Sequence, residues 1–284
     1  MDSMSLFNPD MLNRSSPFIP SFNLIPSSIV LPAVNATGRQ NGDTLAYLHS
    51  QVRSYPASFV YQAKTPFIHP RSCQNQTPQA LQDAFTVCAV YLTMTPSNKS
   101  TVFRIIESKA ADLIQNHTGT EISIPEDGDI RQRAIAERNE SVLIQWTEQL
   151  QSRTGAHLQT STAQDWSSWI FAESVRRTVI MSHLPRFLYY TLRQGFCIGS
   201  SKMAPMVFTP SAAMWDMSFS NSLQDVSSST LPPVSSYYDF IIKWERGYRE
   251  QIEPFERTLL IACKGEECAE VMYSDPQYVN SITN

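Results

Sequence analysis

The chain is poor in the features that commit a sequence to specialised chemistry. It has only five cysteines, Cys73, Cys88, Cys197, Cys263 and Cys268, and no two of them form a CxxC pair. A structural zinc site takes about four N or S ligands, usually in closely spaced pairs, so no metal site is expected. An odd, scattered set also lacks the spacing of a disulfide framework and fits a reducing compartment. Basic runs are missing too. The formal net charge is −4, and the densest arginine group, Arg131, Arg133 and Arg138, is broken by Glu137 and Glu140. Proteins that grip nucleic acid alone usually carry a basic stripe, because phosphate contacts supply much of the affinity. Direct sequence-specific DNA binding is therefore not expected. No apolar run is long enough to span a bilayer. The stretch from Phe18 to Val34 is interrupted by Pro20, Pro26 and Pro32 and makes a poor signal peptide.

Six N-x-S/T sequons, at Asn13, Asn35, Asn75, Asn98, Asn116 and Asn139, point the other way and keep a secreted glycoprotein open as an alternative. Residues 1–42 are rich in Pro, Ser and Asn, show no periodicity and are expected to be disordered; residues 43–284 form the all-α domain. Within it the pattern predicts a short helix over Thr44–Val52 capped by Asp43, then extended chain from Tyr55 to Pro78. Thr77 as N-cap and Pro78 at the first helical position open a helix to about Met94. Further helices are expected over Ser100–Gln115, from about Asp129 to Arg153, from Asp165 to Leu184 with a kink at Pro185 and a continuation ending at Gly195, and over Phe208–Met217 with Thr209 as cap. Ser218–Ser236 reads as a Ser/Pro-rich loop, and Tyr237–Cys263 as a final helical pair interrupted at Pro254 and closed by Gly265. No alternating pattern persists, so the fold expected is an all-α helical bundle.

The most informative segment is DWSSWIFAESVRRT, Asp165 to Thr178. Trp166, Trp169, Ile170, Val175, Val179, Ile180 and Leu184 give it apolar groups around most of its circumference, as in a helix buried among others. Glu173, Arg176 and Arg177 stand in the middle of that run, and spacings of three and four let Glu173 face both arginines. Desolvated charge is tolerated only when paired and hydrogen-bonded. The three residues are therefore expected to form a structural ion pair, with no catalytic, cofactor-binding or metal-binding role.

This tryptophan-rich helix resembles the helical effector region of fungal zinc-cluster transcription regulators. Other segments are similar in the same order: RSYPASFVYQAKTPFIHP (Arg53–Pro70), ERNESVLIQWTEQL (Glu137–Leu150), FTPSAAMWDM (Phe208–Met217) and LLIACKG (Leu259–Gly265). Members of that family usually begin with six cysteines holding two zinc ions, which this chain lacks. The resemblance implies a nuclear transcription regulator without its own zinc cluster, controlling a secondary-metabolite gene cluster through protein partners, one of them a DNA-binding transcription factor. It names no small-molecule effector.

Two other features bear on function. Gly195-Phe196-Cys197-Ile198-Gly199 fits a G-x-nucleophile-x-G turn. It follows a helix rather than a strand, so a C-cap with a small cysteine is the simpler reading, and a helical enzyme or carrier using Cys197 is the alternative. The aromatic residues Tyr189, Tyr190, Trp215, Tyr237, Tyr238 and Trp244 fit core packing first and the lining of an effector pocket second.

Overall fold

A computed structural model describes residues 42–73, 77–118, 129–159, 166–194, 203–210, 215, 233–247 and 252–265, with 271 and 274. All of them lie in one contact unit, Ala33–Asn284. The described elements are helical apart from one small sheet. The order is α1 (Gly42–Gln62), a 3-10 turn (Pro70–Cys73), α2 (Gln79–Leu92), α3 (Lys99–Thr118), α4 (Asp129–Gln159) and α5 (Trp166–Gln194). Strands β1 (Val207–Phe208) and β2 (Ser235–Ser236) come next, then α6 (Tyr237–Glu245) and α7 (Pro254–Lys264).

Helix α1 corrects the sequence reading. It does not stop at Val52 but continues through Pro56 to Gln62. A proline there leaves the Val52 carbonyl without its helical donor, at a cost of about 3 kcal/mol. Burial on both sides offsets that cost. Tyr47, Leu48 and Gln51 are buried before the proline and Phe59 after it. Phe59 packs edge-on against Phe85 of α2 at 5.7 Å, and Tyr55 packs edge-on against Phe67 at 5.8 Å. Packing of a helix face commonly outweighs local propensity. The helix ends at Ala63, which takes a left-handed φ of 52° and donates its N–H to the Phe59 carbonyl at 3.0 Å. Thr65 then folds the chain into a tight turn, its hydroxyl oxygen accepting from the Phe67 and Ile68 N–H groups at 3.2 and 2.8 Å.

Thr77 is not the cap of α2. Its hydroxyl donates to the Cys73 carbonyl at 3.1 Å, and Pro78 stands just outside the helix with its carbonyl accepting from Leu81 and Gln82. Asn98 organises the α2–α3 turn, accepting from the Thr95 N–H at 2.6 Å and donating to the Thr93 carbonyl at 3.0 Å. Helices α4 and α5 are joined by the Arg186–Glu140 ion pair at 3.1 Å and by Thr147 donating to Ser182 at 3.0 Å. Helix α5 continues through Pro185 to Gln194.

The two-residue strands are a second correction, because Phe208 was expected to open a helix and Ser235–Ser236 to end a loop. Val207 pairs with Ser236 and Phe208 with Ser235, antiparallel. A ladder this short carries no visible alternation. Its cause is tertiary: fully buried Phe208 packs edge-on against Phe240 and Phe255 at 5.4 and 5.5 Å. Ser236 also caps α6, its hydroxyl oxygen accepting from the Asp239 N–H at 3.0 Å. Of the expected Phe208–Met217 helix only Trp215 is described as helical, and 211–214 and 216–217 lie outside the described residues, as do 218–232 of the loop. The expected disordered segment 1–42 likewise lies outside them, except Gly42, which starts α1.

The main core gathers Tyr47 and Leu48 of α1, Ile180 and Leu184 of α5, Phe208 of β1, and Phe255, Leu259 and Leu260 of α7. A second cluster holds Trp166, Trp169, Ile170 and Trp215, with the first two indoles stacked at 4.8 Å. The continuation of α1 beyond Pro56 is testable at Phe59, which is 3 % exposed. Phe59→Ala should cost about 3–5 kcal/mol in urea unfolding, as for a large core truncation. A loss under about 1 kcal/mol would mean that this last turn does not pack as described.

Candidate functional site

At the centre of α5 the structure places Glu173, Arg176 and Arg177 together and fully out of solvent, at 0, 3 and 2 % exposure. Arg176 Nε lies 2.9 Å from Glu173 Oε2, and Arg177 Nε lies 2.7 Å from Oε1. The helical spacing i, i+3 and i, i+4 brings these groups onto one side of the helix. A partner that local spacing does not supply completes the set. The Thr209 N–H, just after β1, donates to both carboxylate oxygens at 3.1 and 3.0 Å. Charge-assisted bonds of this kind are the strong ones.

Arg177 reaches further than its ion pair. Its Nη1 donates to the Pro66 carbonyl at 3.3 Å and its Nη2 to the Thr209 carbonyl at 3.5 Å. The guanidinium carbon sits 4.1 Å from the Trp215 ring centre and 4.6 Å from that of Phe255. A weakly hydrated planar cation suits such stacking better than a lysine would. One side chain thus links α5, the turn after α1, the end of β1, Trp215 and the start of α7.

Two titratable groups lie in the same neighbourhood. Burial pushes the Glu256 carboxyl up to about 7; the Glu253 N–H it accepts and the positive charge of Arg177 pull the other way. Burial, with the charges of Arg71 and Arg177, pushes His69 down to about 4. His69 packs edge-on against Trp215 at 5.0 Å, and its Nδ1 accepts from the Arg71 N–H at 3.2 Å.

Beside this cluster opens a cavity of about 220 Å³. Gln51, Ser54, Tyr55, Ser58 and Gln62 line it from α1. Lys64, Thr65 and Pro66 follow from the turn, and Arg177, Trp215, Glu253, Pro254 and Phe255 complete the wall. Burial pushes the Tyr55 phenol up to about 12, so it stays protonated at neutral pH.

The chain is 30 % identical, over 284 aligned residues, to "Transcription factor gsfR2" of Penicillium aethiopicum. The match covers 86 % of this chain and 62 % of that protein. The chain is related to a fungal transcription factor. It spans somewhat under two thirds of that relative's length. No protein-family profile matches the chain, and no solved structure matches it.

The Gly195–Gly199 turn with Cys197, and also Cys268, lie outside the described residues. Cys73, Cys88 and Cys263 are half-buried, and burial pushes the thiols of Cys73 and Cys88 up. Among the described residues no group of three or more His, Cys, Asp or Glu is placed to hold a metal. Of the aromatic candidates Trp215 lines the cavity, Tyr237 and Trp244 are core, and Tyr238 is half-buried; the side chains of Tyr189 and Tyr190 are not among those described. Glu245 of α6 forms an ion pair with Lys264 of α7. Sequence reasoning did not assign Pro66, Thr209, Phe255 or Glu256 to the cluster. Only Glu256 carried a local sign, three residues after Glu253 and beside Pro254 at a helix start.

Two measurements test this cluster. Glu173→Ala leaves two buried guanidinium groups without their carboxylate and should cost about 3–5 kcal/mol of stability; a variant that melts like wild type would refute the buried network. The second concerns pH. Between about 4.5 and 7 the folded protein keeps the Glu256 proton that the unfolded chain has lost, so this group makes stability fall as pH rises through that window. Between about 4 and 6.5 His69 acts with the opposite sign, since the unfolded chain binds the proton that the fold excludes. Glu256→Gln should therefore be more stable than wild type at pH 8, by about 1–3 kcal/mol, with the gain shrinking toward pH 5. Thermal melts across pH decide it, and a pH-independent difference would mean that Glu256 does not titrate as described.

Proposed function

We propose that the chain is the helical regulatory part of a transcription regulator, acting in the nucleus through protein partners, one of them a DNA-binding transcription factor. The observation that carries this reading is the 30 % identity to a Penicillium transcription factor across 86 % of the chain. The order of matching segments, from RSYPASFVYQAKTPFIHP to LLIACKG, supports the same reading. Control of a secondary-metabolite gene cluster is the target role that the resemblance implies.

Assigning DNA reading to a partner rests on charge and composition. This chain has a net charge of −4 and no CxxC pair. Its densest arginine group lies on α4, where Glu140 is already paired with Arg186 of α5. A network that fixes one packing of several segments gives a domain with a defined surface to present, which regulation by protein contact requires.

The described sequons divide on a glycoprotein reading: the Asn98 amide is committed within its turn and Asn139 is half-buried in α4 with its Oδ1 out of solvent, while Asn116 is exposed near the end of α3.

Tethered to a heterologous DNA-binding domain in a fungal host, the chain should change expression of a reporter bearing that domain's site, and a gene deletion should alter transcripts of a contiguous biosynthetic cluster. The purified chain alone should bind promoter fragments weakly and without sequence preference at physiological salt. An inert tether together with an unchanged transcript profile would overturn regulation itself. A tight footprint by the chain alone would overturn the partner assignment.

A further inference from the structure

We propose that the cavity between α1 and the start of α7 binds a small organic monocarboxylate, with its apolar part against Tyr55, Pro254 and Phe255. The inference stands apart from the transcriptional reading, because it concerns binding by the purified chain.

Charge decides the class. Around the cavity stand three positive groups, Lys64, Arg176 and Arg177, against two carboxylates, Glu173 and Glu253. Lys64 and Glu253 both line the wall and offset each other. The surplus arises in α5, where the single carboxylate of Glu173 serves two guanidinium groups, none of the three more than 3 % exposed. Arg177, which lines the cavity, finds its remaining partners in the Pro66 and Thr209 carbonyls at 3.3 and 3.5 Å, and these carry no net charge. Two further titratable groups beside Arg177 leave the surplus in place. Glu256 keeps its proton below about 7, and His69 stays neutral above about 4. A charge held away from water without a full counter-charge is costly. A carboxylate in the cavity supplies that counter-charge through a wall of low dielectric, with no need for an open guanidinium nitrogen.

The lining also offers donors. Ser58 and Gln62 stand one helical turn apart on α1, both line the cavity, and neither side chain makes a hydrogen bond among the described residues. Ser58 is half-buried and Gln62 exposed, so both hydrogen-bonding groups are within reach of an entering ligand. Ser54, on the same face, is already committed to the Gln51 carbonyl at 2.7 Å. Lys64 follows two residues after Gln62 and is half-buried. A carboxylate accepting from a hydroxyl, an amide and an ammonium makes the stronger, charge-assisted kind of bond. Size sets the remaining limit. An apolar protein cavity of about 150 Å³ holds a benzene molecule, and this one measures about 220 Å³, room for one ring bearing a carboxylate. A mostly apolar cavity with a few convergent polar groups is the ordinary form of a ligand site.

Three probes of one shape and size test the class: benzoate, an anion, benzamide, which is neutral, and benzamidine, a cation. Titrations run at about pH 6, where Glu256 holds its proton. The full 284-residue chain carries five tryptophans, whose indole N–H resonances can be followed by NMR. Benzoate should move the Trp215 resonance saturably, and its ring protons should show intermolecular NOEs to Tyr55 and Phe255. Benzamide and benzamidine should bind about tenfold more weakly or worse, since neither supplies the missing negative charge. Lys64→Gln removes one positive group from the wall and should weaken benzoate about threefold or more while leaving benzamide unchanged. Ser58→Phe, which fills the cavity from α1 without touching the ion network, should abolish the benzoate shift. The NOEs and the ranking of the three probes are read on wild-type protein, so they decide the matter even if a variant fails to fold. No saturable shift with benzoate, or NOEs elsewhere, would overturn the site. Equal or tighter binding of benzamide or benzamidine, or a folded Lys64→Gln protein that binds benzoate like wild type, would overturn the anionic class.

Discussion

Three charges withdrawn from water in the middle of one helix are the constraint on which the rest of this structure depends. Each ion taken from water into a protein interior costs several kcal/mol, and that cost is met only where the partners are complete and well placed. Glu173 meets it with two guanidinium groups from its own helix and one backbone N–H from Thr209. Arg177 meets it with Glu173, two backbone carbonyls and two aromatic rings. The requirement reaches outward from α5. It fixes where the chain must turn after α1, where β1 must end, and where α7 must begin.

The apolar packing follows the same lines. Phe208, one residue before the N–H that Glu173 accepts, is buried completely against Phe240 and Phe255. Phe255 in turn is one residue after Pro254, which starts α7, and it stacks on Arg177. Hydrophobic burial provides the bulk of the stabilisation and the ion network the register. Apolar contacts are non-directional, whereas a carboxylate that must accept from a particular backbone N–H admits few arrangements. The same neighbourhood holds Glu256 and His69, whose protonation responses oppose each other, and a cavity sharing Arg177 and Trp215 with the network.

Much of the helical pattern was legible in the residues. The apolar periodicity of α3, α4 and α5 and the stop at Pro254 before α7 all appear in the chain, because they depend on spacing along a single segment. Pro56 misled, since its local cost points to a break, and the burial of Phe59 that outweighs it is a contact with α2. Thr77 misled as well: its hydroxyl found the Cys73 carbonyl, a partner outside the helix it seemed placed to cap. The strand at Phe208 left no trace, because two residues cannot show an alternation.

The sequence by itself determined that Glu173, Arg176 and Arg177 would share a helix and fall within reach of one another, since 3.6 residues per turn settles that without reference to anything else. It also determined the helical class, the scarcity of paired cysteines and the absence of a basic run. Only the tertiary structure decided which groups complete the charge network and which segments enclose the cavity. Pro66, Thr209, Trp215 and Phe255 come from parts of the chain that no local spacing relates to α5. Buried charge and buried aromatic surface had to be satisfied together, and the chain could do so only by folding those distant segments onto one arginine.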